Sequence, residues 1–200
     1  GFIDLFGYPY CRGRVFNSIE KDTKQFDDVT EIFWASGACF FIRSRVYHDL
    51  NGFDEDYFAH QEEIDLCWRS KNKGFQIKYV GNSCVYHLGG ATLQETNPQK
   101  TFLNFRNSLL NVIKNVPKQW FLFVVSTRLL LDGVAGIKFF IELRPIHTWA
   151  VFKAHLSVYK NFYKFLKKRN KLQRKEQYSL HISVVWQYFI LKRKKFKNLR

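Results

Sequence analysis

The 200-residue chain contains no methionine, only four prolines and four cysteines. Without a Met at its start, it reads as part of a longer protein. The cysteines, Cys11, Cys39, Cys67 and Cys84, form no C-x-x-C pair, and several sit in apolar runs. Reduced, buried thiols of a cytosolic protein are therefore expected. The opening GFIDLFGYPYCRGR lacks a basic start and a continuous apolar stretch, which excludes a signal peptide. No uninterrupted apolar run reaches the roughly 18 residues of a spanning helix. No internal repeat is visible, which excludes a solenoid. Acid is nearly missing from the last quarter of the chain. Residues 153–200 carry 15 Lys/Arg against the single acid Glu176, whereas residues 1–152 carry 17 Lys/Arg against 16 Asp/Glu. The +15 total is thus a near-neutral body (+1) with a basic tail (+14). Such a tail wants a polyanion, either nucleic acid or an anionic lipid surface.

What is abundant is apolar and aromatic: 46% hydrophobic residues, with 21 Phe and 10 Tyr. That is enough for one sizeable core, and the length suits one domain or one domain plus an appendage. Residues 1–30 read as loops with short helical pieces. EIFWASGACFFIR predicts a buried strand over Ala38–Ile42, entered through a turn at Gly37. SRVYHDLNG predicts a short helix with Ser44 as cap. EEIDLCWRSKNKG has acids first, bases last and Gly74 as a stop, so it predicts a helix over 62–74. FQIKYV is a strand, SCVYH a second candidate, and 88–98 a loop. Helices follow over 101–116, 120–143 and 145–176. In the second of these, Arg128, Asp132, Lys138 and Glu142 fall on one stripe about 120° wide, at about 100° per residue. The rest of its circumference is apolar. That pattern suits a packed interface or a helix lying in a membrane surface.

Chemistry concentrates in AHQEEIDLCWR, residues 59–69. Acids in a first helical turn oppose the helix dipole, which is their ordinary use. Glu62 and Glu63, however, lie about 100° apart and cannot share one solvated face with Asp65. Between the apolar flanks YFAH and IDLCW, at least one should meet a partly dry wall, where its pKa rises and it becomes a useful general base. Asp65 is more simply a local structural acid. His87 follows a strand candidate and precedes Gly89-Gly90, which would let backbone approach a ligand closely. With Cys84 it makes half of a zinc pattern whose second half is missing. Asp54 and Asp56 match D-x-D but sit in a loop after a helix, where they shape the loop.

FWASGACFFIR, GFDEDYFAHQEEIDLCWR, IKYV, VYHLGG and FLNFRN, in that order, resemble the C-terminal half of family 2 glycosyltransferases. The likeness is to the bacterial group of surface-polysaccharide assembly, which includes rhamnosyltransferase-like enzymes. It covers residues 10–115 closely and the later helices loosely. The resemblance implies an α/β fold, the C-terminal half of a GT-A (Rossmann-like) domain over 1–116, followed by amphipathic, basic, membrane-associating helices over 117–200. It implies a nucleotide-sugar donor, a glycan or lipid-linked acceptor, a divalent cation (Mg2+ or Mn2+) and inversion at the anomeric carbon. The family's acidic pair, usually Glu-Asp, falls on Glu62-Glu63, with Glu63 as base and Glu62 as its fallback; Glu replaces the usual Asp. His87 corresponds to the metal-associated His. Trp34 and Gly37 match the segment that lines the acceptor side, and Arg106 and Asn107 a recurring Arg-Asn pair carried over as support; His60, Asp65 and Arg69 stand beside them as substrate-binding candidates. The family's nucleotide pocket and true D-x-D find no counterpart, so residues 1–200 alone are expected to transfer no sugar. The basic tail, set beside Trp, Phe and Leu, points to the anionic inner face of the cell membrane rather than to nucleic acid. A nucleic-acid-binding protein and a non-catalytic scaffold of the same fold are the rival readings.

Overall fold

The computed structural model describes residues 1–87, 96–169 and 178–199. The chain is mixed α and β. Among the described residues six short strands, β1 (Phe2–Ile3), β2 (Pro9–Tyr10), β3 (Arg14–Val15), β4 (Ser18–Ile19), β5 (Val29–Ile32) and β6 (Ile77–Val80), pair as three two-stranded antiparallel ladders. The first thirty residues are therefore hairpins rather than helical pieces. Their strands are two residues long, too short to show a period of two. The longest ladder pairs β5 with β6, from Val29 opposite Val80 to Ile32 opposite Ile77.

The expected strand at Ala38–Ile42 does not form, and neither does one at residues 83–87. A strand needs a ladder partner, and among the described residues none pairs with either segment. Phe40 and Ile42 still face inward onto Val46, Leu50 and Leu66, while Phe41 is 96% exposed. The alternation is real; the hydrogen-bonded neighbour is not.

The five α-helices among the described residues follow the signals more closely. Helix α1 is Ser44–Asp49, with Ser44 as first helical residue rather than cap. Helix α2, Glu62–Asn72, has Glu62, Glu63 and Asp65 in its first turn, and Arg69 and Lys71 in its last. Gly74, at φ 87°, takes the left-handed stop that a Cβ would disfavour. Helix α3 begins earlier than expected, at Pro98, and runs to Asn115. Asn97 caps it by accepting from the Gln99 N–H, and proline suits the first helical position because its missing N–H would be unpaired there anyway. Helices α4 (Phe121–Ile141) and α5 (Pro145–Lys168) form a hairpin. By length and composition the segment Lys118–Ile141 could cross a membrane, although Arg128, Asp132 and Lys138 interrupt its apolar run.

The C-terminal half of α3 is the axis of the molecule. Residues 107–116 are all buried. Leu109, Leu110 and Ile113 pack with Tyr57, and with Val158 and Phe165 of α5. Val112 joins the larger core of Ile3, Val15, Phe33, Ile64 and Trp68. A helix buried all round is ordinarily apolar. Here Asn107, Ser108, Asn111, Lys114 and Asn115 are buried too, and each finds a polar partner. The last described segment returns to the beginning of the chain. The Tyr178 hydroxyl donates to the Leu5 carbonyl, and the Val184 N–H to Asp4.

Candidate functional site

The loop before α2 is held in an unusual conformation. Phe58, His60 and Gln61 all have φ between 65° and 71°. Non-glycine residues pay about 1–3 kcal/mol each for such positions, and keep them only where surroundings dictate. Asn107 supplies the constraint. Its side-chain N–H2 donates to the carbonyls of Tyr57 (2.9 Å), Ala59 (2.8 Å) and His60 (2.8 Å). Two hydrogens serve three carbonyls, so at least one is shared. Arg106 completes the brace. It donates to the Asn107 side-chain carbonyl (2.9 Å), the Asp56 carbonyl (2.8 Å) and Ser157 of α5 (3.1 Å). Both residues thus act behind the loop, on its shape.

Asp65 lies fully inside. It accepts from Arg69 Nε (2.7 Å), Lys114 Nζ (2.9 Å) and Asn115 Nδ2 (2.9 Å). Arg69 spends its other nitrogens on the carbonyls of Leu50 (2.5 Å) and Gly52 (2.8 Å), fixing the end of α1. Expected among the substrate-binding positions, Asp65 and Arg69 are instead committed to packing; of the two readings of Asp65, the structural acid is the one the contacts match. Trp34 is similarly occupied: it is buried, and its indole N–H donates to the Phe2 carbonyl (2.9 Å).

The first turn of α2 contrasts with this. Gln61 Oε1, Glu62 Oε2 and Glu63 Oε2 are buried acceptor oxygens with no hydrogen-bond partner among the described residues. Burial pushes the Glu63 carboxyl up to about 7. The neighbouring Glu62 charge adds to the rise, while backbone N–H groups of Glu63, Gln61 and Gly37 oppose it. Gly37, from the FWASG segment, thereby reaches the acid. His60 is partly buried, and burial together with Lys100 in the first turn of α3 holds its pKa down, against the pull of Glu62. Phe58, at the head of the loop, is 84% exposed. Sequence reasoning did not single out Phe58, Gln61 or Lys100. A loop aromatic or one lysine carries no motif, and only the fold brings these positions to one place.

The arrangement can take a proton from a donor group at neutral pH. It offers a carboxylate with a raised pKa, two further acceptor oxygens and an exposed aromatic ring. A cavity of about 1180 Å3 is lined by Arg12, Trp34, Cys67, Phe75 and Tyr79 among others. No Asp, Glu or His among the described residues lines it. The acid cluster is the better candidate for chemistry.

A divalent cation finds no ready cage. Among the described residues, no group of three His, Cys, Asp or Glu side chains stands together as a metal site. His87 is exposed, and the glycines that follow it lie outside the described residues. The D-x-D acids are taken: Asp54 pairs with Lys114 (2.8 Å) and Lys168 (2.6 Å), Asp56 with Lys164 (2.6 Å) and Lys168 (2.5 Å). Burial alone would raise Asp54, but the two lysines outweigh it and hold its pKa down at about 2.

Comparison with known proteins gives local similarity to rhamnosyltransferases. The chain is 37% identical over 54 residues to N-acetylglucosaminyl-diphospho-decaprenol L-rhamnosyltransferase of Mycobacterium tuberculosis, covering 27% of this chain and 18% of that protein. It is 36% identical over 62 residues to rhamnosyltransferase WbbL of Escherichia coli, covering 31% of this chain and 23% of that protein. The matched stretches thus span about a fifth of these curated relatives. No family model matches the chain, and no solved structure does. This local similarity supports a glycosyltransferase role in general terms.

Proposed function

We propose that the chain carries the acceptor side of a GT-A glycosyltransferase site that moves a sugar, with inversion, from a nucleotide-sugar donor to a glycan or lipid-linked acceptor in cell-surface polysaccharide assembly. Glu63 is the general base. It takes the proton of the acceptor hydroxyl; the hydroxyl oxygen bonds to the anomeric carbon, and the bond from that carbon to the diphosphate oxygen breaks. Glu62 and Gln61 offer acceptor oxygens for neighbouring hydroxyls. Phe58 offers an apolar ring for a sugar face. Arg106 and Asn107 keep the loop in place. The enzyme works on the cytoplasmic face of the cell membrane, where it is peripherally attached.

The observation that carries this reading is the Glu63 carboxyl: half-buried, with one buried oxygen unmatched among the described residues, and raised to about 7. A carboxyl kept only for packing would be paired like Asp65. The test is Glu63→Gln in the intact protein, assayed with nucleotide sugars. Turnover should fall about 10²–10⁴-fold, the usual worth of a general base, with the circular dichroism spectrum unchanged. Turnover within twofold of the parent would remove Glu63 from the chemistry.

A further inference from the structure

Helix α4 is built inside out. The Arg128–Asp132 part of its charged stripe points inward, both residues being buried, whereas Lys138 and Glu142 are exposed. Arg128 donates to the Phe6 carbonyl (2.9 Å) and Ser108 (2.9 Å), and lies 3.4 Å from Asp132. The Tyr8 hydroxyl donates to Asp132 (2.8 Å), and His155 of α5 stands 3.5 Å from it. Val124 and Gly136 extend this buried stripe in both directions, four residues apart each time. On the opposite side Leu122, Leu130, Val134, Ile137, Phe140 and Ile141 are each more than 60% exposed. The one charged residue beside them, Lys138, is paired with Glu142. The apolar face continues round the hairpin through Leu143, Ile146, Trp149 and Phe152. A contiguous apolar face of this kind marks a protein or membrane contact.

Charge decides between those occupants. Residues 118–169 hold ten Lys/Arg and two acids, one of them the buried Asp132. Lys153 and Lys160 are exposed on the same helix as Trp149 and Phe152. Apposing two copies of such a surface would bring like charges together. An anionic bilayer accepts both parts: acyl chains for the apolar face, headgroups for the lysines. Exposed Trp120 and Trp149 suit the boundary between them. The buried Arg128–Asp132 pair, tied to Phe6, Tyr8 and Ser108, anchors α4 to the body of the protein, so α4 lies in the surface rather than across it.

We propose that the outer face of the α4–α5 hairpin is a docking surface that inserts in the plane of an anionic phospholipid bilayer. This deepens the membrane part of the proposed function by assigning it to the hairpin rather than to the basic cluster over residues 192–197. It is read without turnover, so it can fail or hold separately from sugar transfer. The test is flotation of the full chain with vesicles of phosphatidylglycerol and phosphatidylcholine, and with phosphatidylcholine alone. The parent should float with the anionic vesicles. Ile141→Glu with Leu143→Glu, both at exposed positions, should lower the floated fraction at least tenfold while leaving the thermal midpoint unchanged. Lys153→Glu with Lys160→Glu should lower it several-fold, on anionic vesicles only. Three results would overturn the proposal. The apolar double variant floats like the parent. Alanines at Lys192, Lys194, Lys195 and Lys197 abolish flotation while the hairpin variants do not. Or the parent stays off vesicles and elutes as a dimer that the apolar double variant dissociates.

Discussion

Two acids two residues apart on α2 are treated in opposite ways. Asp65 faces α3, and its oxygens meet a guanidinium, an ammonium and an amide. Glu63 faces the loop at Gly37, and one of its oxygens meets nothing among the described residues. Burying an acid is costly unless its partners are supplied. The fold supplies them for Asp65 and leaves Glu63 incomplete. That difference separates an acid that holds the structure from one free to do chemistry. The same contrast sets Asp54 and Asp56, neutralised by three lysines, apart from a metal-binding D-x-D.

The comparison breaks most visibly at Asp65. Asp65→Ala leaves Arg69 without its acid and Lys114 with Asp54 alone, and should destabilise the chain by about 3–5 kcal/mol. A urea melt measures it. A loss below about 1 kcal/mol would mean that the charge network is not what holds α2 to α3.

Asn107→Ala comes next. It removes the side-chain donor from three loop carbonyls, leaving the Tyr57 carbonyl with the Ala59 N–H alone, and releases a segment with three positive-φ residues. The expected loss is about 1–3 kcal/mol. Hydrogen exchange should rise first at residues 57–61, ahead of the α3 core. Uniform loosening would show that Asn107 supports α3 rather than the loop.

Much of this region is legible in the sequence. The acids-first, bases-last pattern and Gly74 define α2 to within two residues, and the need for one acid at a drier wall follows from their angular spacing. What is not legible is which acid is satisfied. That depends on Lys114 and Asn115, about fifty residues on, and no local pattern encodes their reach. The charged stripe of α4 is likewise visible as a stripe, but the inward direction of Arg128 and Asp132 depends on Phe6 and Tyr8, more than a hundred residues earlier. Ala38–Ile42 fails for the converse reason: its local pattern is right, and the ladder partner that would make it a strand is not among the described residues. The first thirty residues fail because strands of two residues leave no period to read. Of the candidate site residues, Glu62, Glu63, His60 and Gly37 gather around the first turn of α2. Trp34, Asp65, Arg69, Arg106 and Asn107 support it from within.

The smallest effect sharpens the comparison further, because its sign depends on pH. The Glu63 carboxyl titrates at about 7 in the folded chain, above its ordinary value of 4.5. A carboxyl raised in this way favours the protonated form on folding. Its burden on stability is absent below about pH 4.5, where both states are protonated, grows as pH rises, and is complete above about pH 7. Glu63→Gln removes that burden. The variant should therefore match the parent at pH 4 and be more stable at pH 8, in paired thermal melts. Asp54 has the opposite sign: its depressed pKa contributes stability above about pH 4 that is lost as pH falls toward 2. Asp54→Asn should thus be the less stable partner at pH 8 and converge with the parent in acid. If Glu63→Gln behaved like Asp54→Asn, Glu63 would be a paired structural acid, and the distinction between it and Asp65 would collapse.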